Sequence, residues 1–270
     1  MARTIGTILE ARELSLRFGA IAALRDVSIQ VGAGRIHALI GPNGAGKSSL
    51  LNCLSGFYVP WRGSVIFDGR DISALRPCKR AQIGIARTFQ GIQTYPGMTA
   101  RENILSGFHG QMTGGVFAAL FRWPAVVSQE EKFTARAEEI IDFLELEEHR
   151  HTLVGEMPYG LRKRVDLGRA LALEPKILVM DEPMAGMSPE EKAILARYIL
   201  DIRDNFEIPV VLVEHDMEVV MDISDQVTVL EFGAVIADGT PAQVRADPRV
   251  IAAYLGGASP ADATPAEVSA

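Results

Sequence analysis

Cysteine is nearly absent: Cys53 and Cys78 are the two in 270 residues, and they do not form the C-x-x-C spacing of a metal or redox site. Both read as ordinary thiols in a reducing cytoplasm. Long apolar runs are missing as well. No stretch approaches about 18 consecutive apolar residues, and the opening MARTIGTILEARE lacks the apolar core and small-residue cleavage site of an export signal. The expectation is a chain that neither exports itself nor spans a bilayer. Nor is there a basic excess: 27 Lys and Arg face 34 Asp and Glu, a formal charge of −7. That balance argues against binding nucleic acid or anionic lipid through a broad basic face. Any membrane contact must then run through other proteins.

What is present is an ordinary globular mixture, 48% apolar and 23% charged, with enough chain for one large domain or two small ones and no internal repeat. From Ile8 to Ile40 the pattern reads as strands. Val27, Ile29 and Val31 alternate with polar neighbours, and Gly32 and Gly34 separate them from Ala38-Leu39-Ile40. Leu50, Leu51 and Leu54 follow at helical spacing and stop at Gly56. Ser64–Phe67 then reads as a strand leaving through an Asp68-Gly69 turn.

The middle third reads as helical. Thr99 with Glu102 and Ser128 with Glu131 each carry the capping-box pattern, and the second predicted helix puts Phe133, Ala137, Ile140, Ile141 and Leu144 on one face. Ile177–Met180 and Val210–Val213 are short apolar runs of the buried-strand kind. Thr240-Pro241 and Asp247-Pro248 each pair an N-cap with a proline at the first helical position, so short helices end the fold near Leu255. The final GASPADATPAEVSA has little to bury and reads as disordered.

The chemistry concentrates in Gly41-Pro42-Asn43-Gly44-Ala45-Gly46-Lys47-Ser48, which fits G-x-x-x-x-G-K-[ST] between an apolar strand and a helix. Such a loop points backbone N–H groups at phosphate oxygens. Its lysine reaches the β- and γ-phosphates and its last hydroxyl binds Mg²⁺. Ile177–Met180 ends in Asp181-Glu182, two carboxylates suited to supporting Mg²⁺ and acting on water. On its own, an apolar strand ending in Asp-Glu would more often lead into a solvated turn. A metabolite kinase has no need of a carboxylate aimed at water, so the pair favours hydrolysis coupled to motion.

In this order the motifs resemble the ABC ATPase family: the cradle, Gln90 after Ala86-Arg87-Thr88-Phe89, a helical insertion, Tyr159-Gly160 before a basic helix, Asp181-Glu182, and Val213-Glu214-His215-Asp216. The resemblance spans about Ile8 to Leu255. It implies an α/β P-loop core with an N-terminal antiparallel β section and a helical subdomain at about 98–170, all within residues 1–256, followed by a disordered tail at 257–270.

By the same resemblance Ser49 joins Gly41–Ser48 in binding ATP, and Phe18 stacks on adenine, where a lone Phe would otherwise be core. Gln90 would touch Mg²⁺ and the attacking water, together with Ser48 and Asp181 as metal-site residues. Glu182, His215 and Gln90 would form the catalytic set, with His215 on the γ-phosphate. Apart from the family, Gln90 would be a solvated loop residue and His215 a structural histidine.

Met157-Pro158-Tyr159-Gly160, Ala185-Gly186-Met187, the insertion around Phe117–Phe133 and the ending Gly239-Thr240-Pro241 through Tyr254-Leu255-Gly256 resemble the ATPases of high-affinity branched-chain amino-acid importers. Importers of urea, amides or organic acids, and soluble ABC proteins, stand as alternatives. The resemblance implies a second ATPase, two membrane permeases, a solute-binding protein and a place on the cytoplasmic face of the bacterial inner membrane.

Two positions depart from the general family pattern. Where a Leu-Ser-Gly-Gly-Gln signature would cup the partner's γ-phosphate, Pro158, Tyr159 and Gly160 stand. The missing serine donor is worth about 1.5–3 kcal/mol to a charged group. Where an Asp is common, Ser188 stands. Together these imply a non-identical partner ATPase and an unequal pair of sites.

Overall fold

A computed structural model of the chain describes residues 6–111 and 124–255. The inserted stretch around Phe117–Phe133 therefore lies partly outside the described residues, and the tail at 257–270 wholly so.

The chain opens with β1 (Thr7–Phe18) and β2 (Ile21–Gly32), an antiparallel hairpin, followed by β3 (Ile36–Ile40) and helix α1 (Lys47–Ser55). β4 (Arg62–Phe67) and β5 (Arg70–Asp71) come next, then α2 (Pro77–Gln82) and β6 (Ile85–Thr88). Three helices follow: α3 (Ala100–Gly107), α4 (Pro124–Phe143) and α5 (Tyr159–Leu171). β7 (Ile177–Asp181), α6 (Pro189–Asn205), β8 (Val210–Val213), α7 (Met217–Ile223), β9 (Gln226–Glu231) and β10 (Ala234–Gly239) lead to two closing helices, α8 (Pro241–Ala246) and α9 (Pro248–Leu255).

Two sheets result. β2-β1-β4-β5 is antiparallel, and β10-β9-β3-β8-β7-β6 is parallel except for the β9–β10 hairpin at its edge. β3, β7 and β8 are buried at every residue, which explains their unbroken apolar runs: both faces of a parallel sheet are covered. The strand period of two then sorts side chains by face. Leu178 and Met180 join a core with α3–α6, while Ile177 and Val179 join one with α1 and the antiparallel sheet. A third cluster seats Val244 and Val250 of the closing helices against Ala38, Ile40 and Val229.

Local signals explain most helix starts. Thr99 caps α3 reciprocally with Glu102, and Thr240 caps α8 with Gln243 and Pro241. The Ser128–Glu131 pattern does not start a helix, because α4 already runs from Pro124 through Ser128. Ser-x-x-Glu also fits one face of a helix interior, and proline suits a first turn, where its missing N–H costs nothing. A capping box does occur at Ser188 with Glu191, with Pro189 at the first turn of α6.

Thr99→Ala is expected to cost about 1 kcal/mol of stability, since the N–H of Glu102 loses its acceptor. Urea denaturation followed by far-ultraviolet circular dichroism reads this as a lower midpoint.

Candidate functional site

The carboxyl ends of β3, β7 and β8 deliver Gly41, Asp181 and Glu214 to one edge of the sheet, the place where an open parallel sheet presents its ligand crevice. Gly41–Gly46 loops from β3 into α1. A Cβ on Gly41 would collide with the carbonyl oxygen of Leu230. One on Gly46, at φ +103°, would lie 2.6 Å from that of Ala23. Gly44, at φ +79°, has open space beside it, on a loop that leaves its outer side clear.

Lys47 folds back over the loop, its Nζ donating to the carbonyls of Gly41 at 2.7 Å and Pro42 at 3.0 Å. Burial pushes its pKa below the usual ammonium value, opposed by the negative charges of Glu182 and Asp181. Its ammonium is thus already aimed into the concave side of the loop, with carboxylates opposite. Ser48 is exposed and Ser49 half-buried on the first turn of α1.

Glu182 follows β7 at φ +48°, a left-handed conformation that non-glycine residues seldom adopt, and its N–H is held by the carbonyl of Val213 at 2.9 Å. Both carboxylate oxygens are engaged. Gln90 Nε2 donates to Oε2 at 2.7 Å, and His215 Nε2 lies 2.6 Å from Oε1, so the tautomer protonated at Nε2 donates there. Three residues separated by up to 125 positions in the chain meet at this carboxylate.

Beneath them Glu214 is buried and accepts the N–H groups of Met184 at 2.8 Å and His215 at 3.2 Å. Burial raises its pKa against those bonds. It ties the exit of β7 to the exit of β8, and so sets Glu182 and His215 relative to each other.

Asp181 is not free. Arg87 Nη2 donates to its Oδ2 at 2.9 Å, while Nη1 donates to Asn52 Oδ1 at 2.6 Å, and the guanidinium lies against the rings of both Phe57 and Phe89, which meet edge-on. Arg87 belongs to no motif that would mark it in the sequence beyond being a charged residue within β6. Lys163 is likewise unmarked. Nearly fully buried on α5, it donates to the carbonyl of Gln90 at 3.1 Å and so supports that loop.

Phe18 ends β1, half exposed, edge-on to Tyr58 at 5.1 Å between centroids. It is not a core residue. Its hairpin lies against the cradle, because Ala23 of β2 abuts both Gly46 and Gly233. Pro158 precedes α5 without a side-chain cap. Tyr159 turns its hydroxyl onto the carbonyl of Ala185 at 3.1 Å, and Gly160 packs on Glu191. Ser188 is occupied with capping α6, which accounts for a small hydroxyl residue there.

The donors around Ser48 and Asp181 are hard oxygens, suited to a divalent cation that keeps several waters and takes phosphate oxygens. Among the described residues no group of three or more His, Cys, Asp or Glu is placed to hold a metal unaided. Oxygen donors of this kind fit Mg²⁺.

A family model described as ABC transporter matches residues 24–185, and one described as branched-chain amino acid ATP-binding cassette transporter matches residues 234–259. Over 249 residues the chain is 40% identical to the high-affinity branched-chain amino acid transport ATP-binding protein BraF of Pseudomonas aeruginosa, covering 92% of this chain and 98% of that protein. With LivG of Escherichia coli K12, a protein of the same description, identity is 36% over the same shares.

A crystal structure of a nucleotide-free ATP-binding cassette from an ABC transporter superposes with a TM-score of 0.80 at 33% identity, covering 92% of this chain and 99% of that one. An ATP-binding cassette of an ABC transporter in its ADP conformation gives 0.81 at 34%, covering 93% and 99%. With the phosphate cradle, the carboxylate pair and the two-sheet α/β architecture in place, the chain belongs to the nucleotide-binding ATPase subunits of ABC transporters, in the branch of the branched-chain amino acid transport ATP-binding proteins.

Proposed function

We propose that this chain hydrolyses ATP to power uptake of a branched-chain amino acid, or a related small polar solute, at the cytoplasmic face of a bacterial inner membrane. The observation that carries the enzymatic part is the Glu182 carboxylate, gripped by Gln90 and His215 at the end of β7 and facing the Lys47 cradle. The solute class draws on BraF and LivG, and urea, amides or organic acids are the alternatives the test separates.

In the reaction, backbone N–H groups of Gly41–Ser49 and the Lys47 ammonium bind the phosphates, and Phe18 offers a ring face to adenine. Ser48, Asp181 and Gln90 would hold Mg²⁺, which would supply neutralisation of phosphate charge. Glu182 orients the attacking water and accepts its proton, a task suited to a carboxylate already fixed at both oxygens. His215 contacts the γ-phosphate.

Pro158, Tyr159 and Gly160, at the start of α5, face the nucleotide of a second, non-identical ATPase subunit. Two permeases link the pair to the membrane and receive solute from a binding protein. Among the described residues no helix is long and apolar enough to cross a membrane.

In cells lacking this chain, uptake of radiolabelled leucine is expected to vanish, to return with the native chain and to stay absent with Lys47→Ala. Intact leucine uptake with loss of urea or organic-acid uptake would overturn the solute class. Unchanged uptake of all of them would overturn the transport reading.

A further inference from the structure

We propose that Tyr159 and Lys163 are positioning residues that latch the first turn of α5 onto the two loops holding Glu182 in the same chain, so that α5 reports the state of its own nucleotide site. This rests on the reading of Glu182 and Gln90 as the hydrolytic pair.

Tyr159 and Lys163 stand one helical turn apart, and so share a face of α5. Tyr159 Oη donates to the carbonyl of Ala185 at 3.1 Å, three residues beyond Glu182. Its ring lies 3.6–3.7 Å from where a Cβ on Gly186 would stand. Gly186 has φ +77°, so the loop reaches the ring in a conformation that other residues rarely adopt. Lys163 Nζ sits 5.6 Å from the Tyr159 ring centroid and donates to the carbonyl of Gln90 at 3.1 Å. The lysine is nearly fully buried. That burial lowers its pKa, against the charges of Asp166, Glu214 and Glu182.

One side chain therefore grips the loop that leaves Glu182, the other grips the loop that carries Gln90, and the two touch each other. A third contact closes the set. Gly160 lies so close to Glu191 that any Cβ would collide with Glu191 Oε1, while Glu191 Oε2 accepts the N–H of Ser188.

The rival reading has the Tyr159 hydroxyl substitute for a serine donor toward the partner's phosphate. A phenol has one O–H, however, and here it is spent on Ala185 within the chain; the remaining lone pairs would repel a phosphate oxygen. Tyr159 thus contributes a tie inside the subunit rather than a donor across the interface. Movement of Gln90 or of the Ala185–Gly186 turn, when phosphate arrives at Glu182 or leaves it, pulls directly on the start of α5.

The test is amide hydrogen exchange by mass spectrometry on the purified full chain and its Tyr159→Phe, Lys163→Met and Lys163→Arg variants. One hydrogen bond less should speed exchange about two- to twelvefold in residues 184–188 for Tyr159→Phe and in residues 89–93 for Lys163→Met. Lys163→Arg, which keeps a donor, should restore the second loop. A non-hydrolysable ATP analogue should slow exchange at 159–164 in the native chain and not in the Tyr159→Phe, Lys163→Met double variant.

Unchanged rates in both loops, or acceleration spread evenly over the chain, would overturn the latch. Protection at 159–164 that persists in the double variant would overturn its reporting role. Exchange in the free chain is read without turnover, so absence of ATPase activity in the native protein would instead sink the hydrolytic reading.

Discussion

Glu182→Gln is expected to lower ATP turnover at this chain's own site by about 10²–10⁴-fold, the usual contribution of a positioned general base, while ATP affinity changes little. Glutamine preserves the shape of the side chain and one acceptor oxygen, so one of the bonds from Gln90 and His215 survives. It has no basic carboxylate to take a proton from water. Its amide NH₂ must also face one of two donors, which Gln90 can answer by turning its amide over.

The groups assigned to the phosphates, Lys47 and the cradle N–H groups, are untouched. Single-turnover kinetics with the assembled transporter and equilibrium binding of ATP separate the two effects. Native turnover in the variant would move the base elsewhere. Parallel loss of binding and turnover would make Glu182 a structural prop of the cradle.

The elements of this site differ in how far they could be read in advance, for physical reasons. The cradle was legible because its chemistry is backbone chemistry: glycines at set spacing, then Lys47 and Ser48, need no distant partner to be recognised. β7 and β8 were legible because strands covered on both faces must be apolar throughout. Capping was only partly legible. Ser128-x-x-Glu131 and Ser188-x-x-Glu191 carry the same local pattern, yet only the second starts a helix, with Pro189 adding the fixed φ that the first lacks at that place.

What could not be read were the cross-chain ties. Arg87 and Asp181 are 94 positions apart, and Lys163 and Gln90 are 73 apart. No periodicity links such pairs; only the strand order β8-β7-β6 and the packing of α5 on β6 create them. The same topology hides the Tyr159 contact from the sequence: the carbonyl it binds belongs to a loop 26 positions away.

The largest expected effect on stability follows from one of those ties. Arg87→Met should destabilise the fold by about 3–5 kcal/mol, the cost of leaving half of a buried ion pair in place. The side chains of Arg87 and Asp181 are 7% and 9% exposed, so water cannot take over from the guanidinium. Burial pushes the Arg87 pKa below its usual value, opposed by Asp181, so the pair is a compromise that holds only with both members present.

Methionine keeps most of the length of the side chain beside Phe57 and Phe89, so the loss measures charge and hydrogen bonding more than a cavity. It also strands Asn52 Oδ1, which accepts from Arg87 at 2.6 Å. Adding Asp181→Asn to Arg87→Met removes the uncompensated charge and should recover about 1–3 kcal/mol, measured as the shift in urea midpoint across the four members of the cycle. A cycle that is additive would mean that Arg87 stabilises the fold through Asn52 and its ring contacts rather than through Asp181. A non-additive one makes Arg87 the residue that orients Asp181 at the edge of the cradle before any nucleotide arrives.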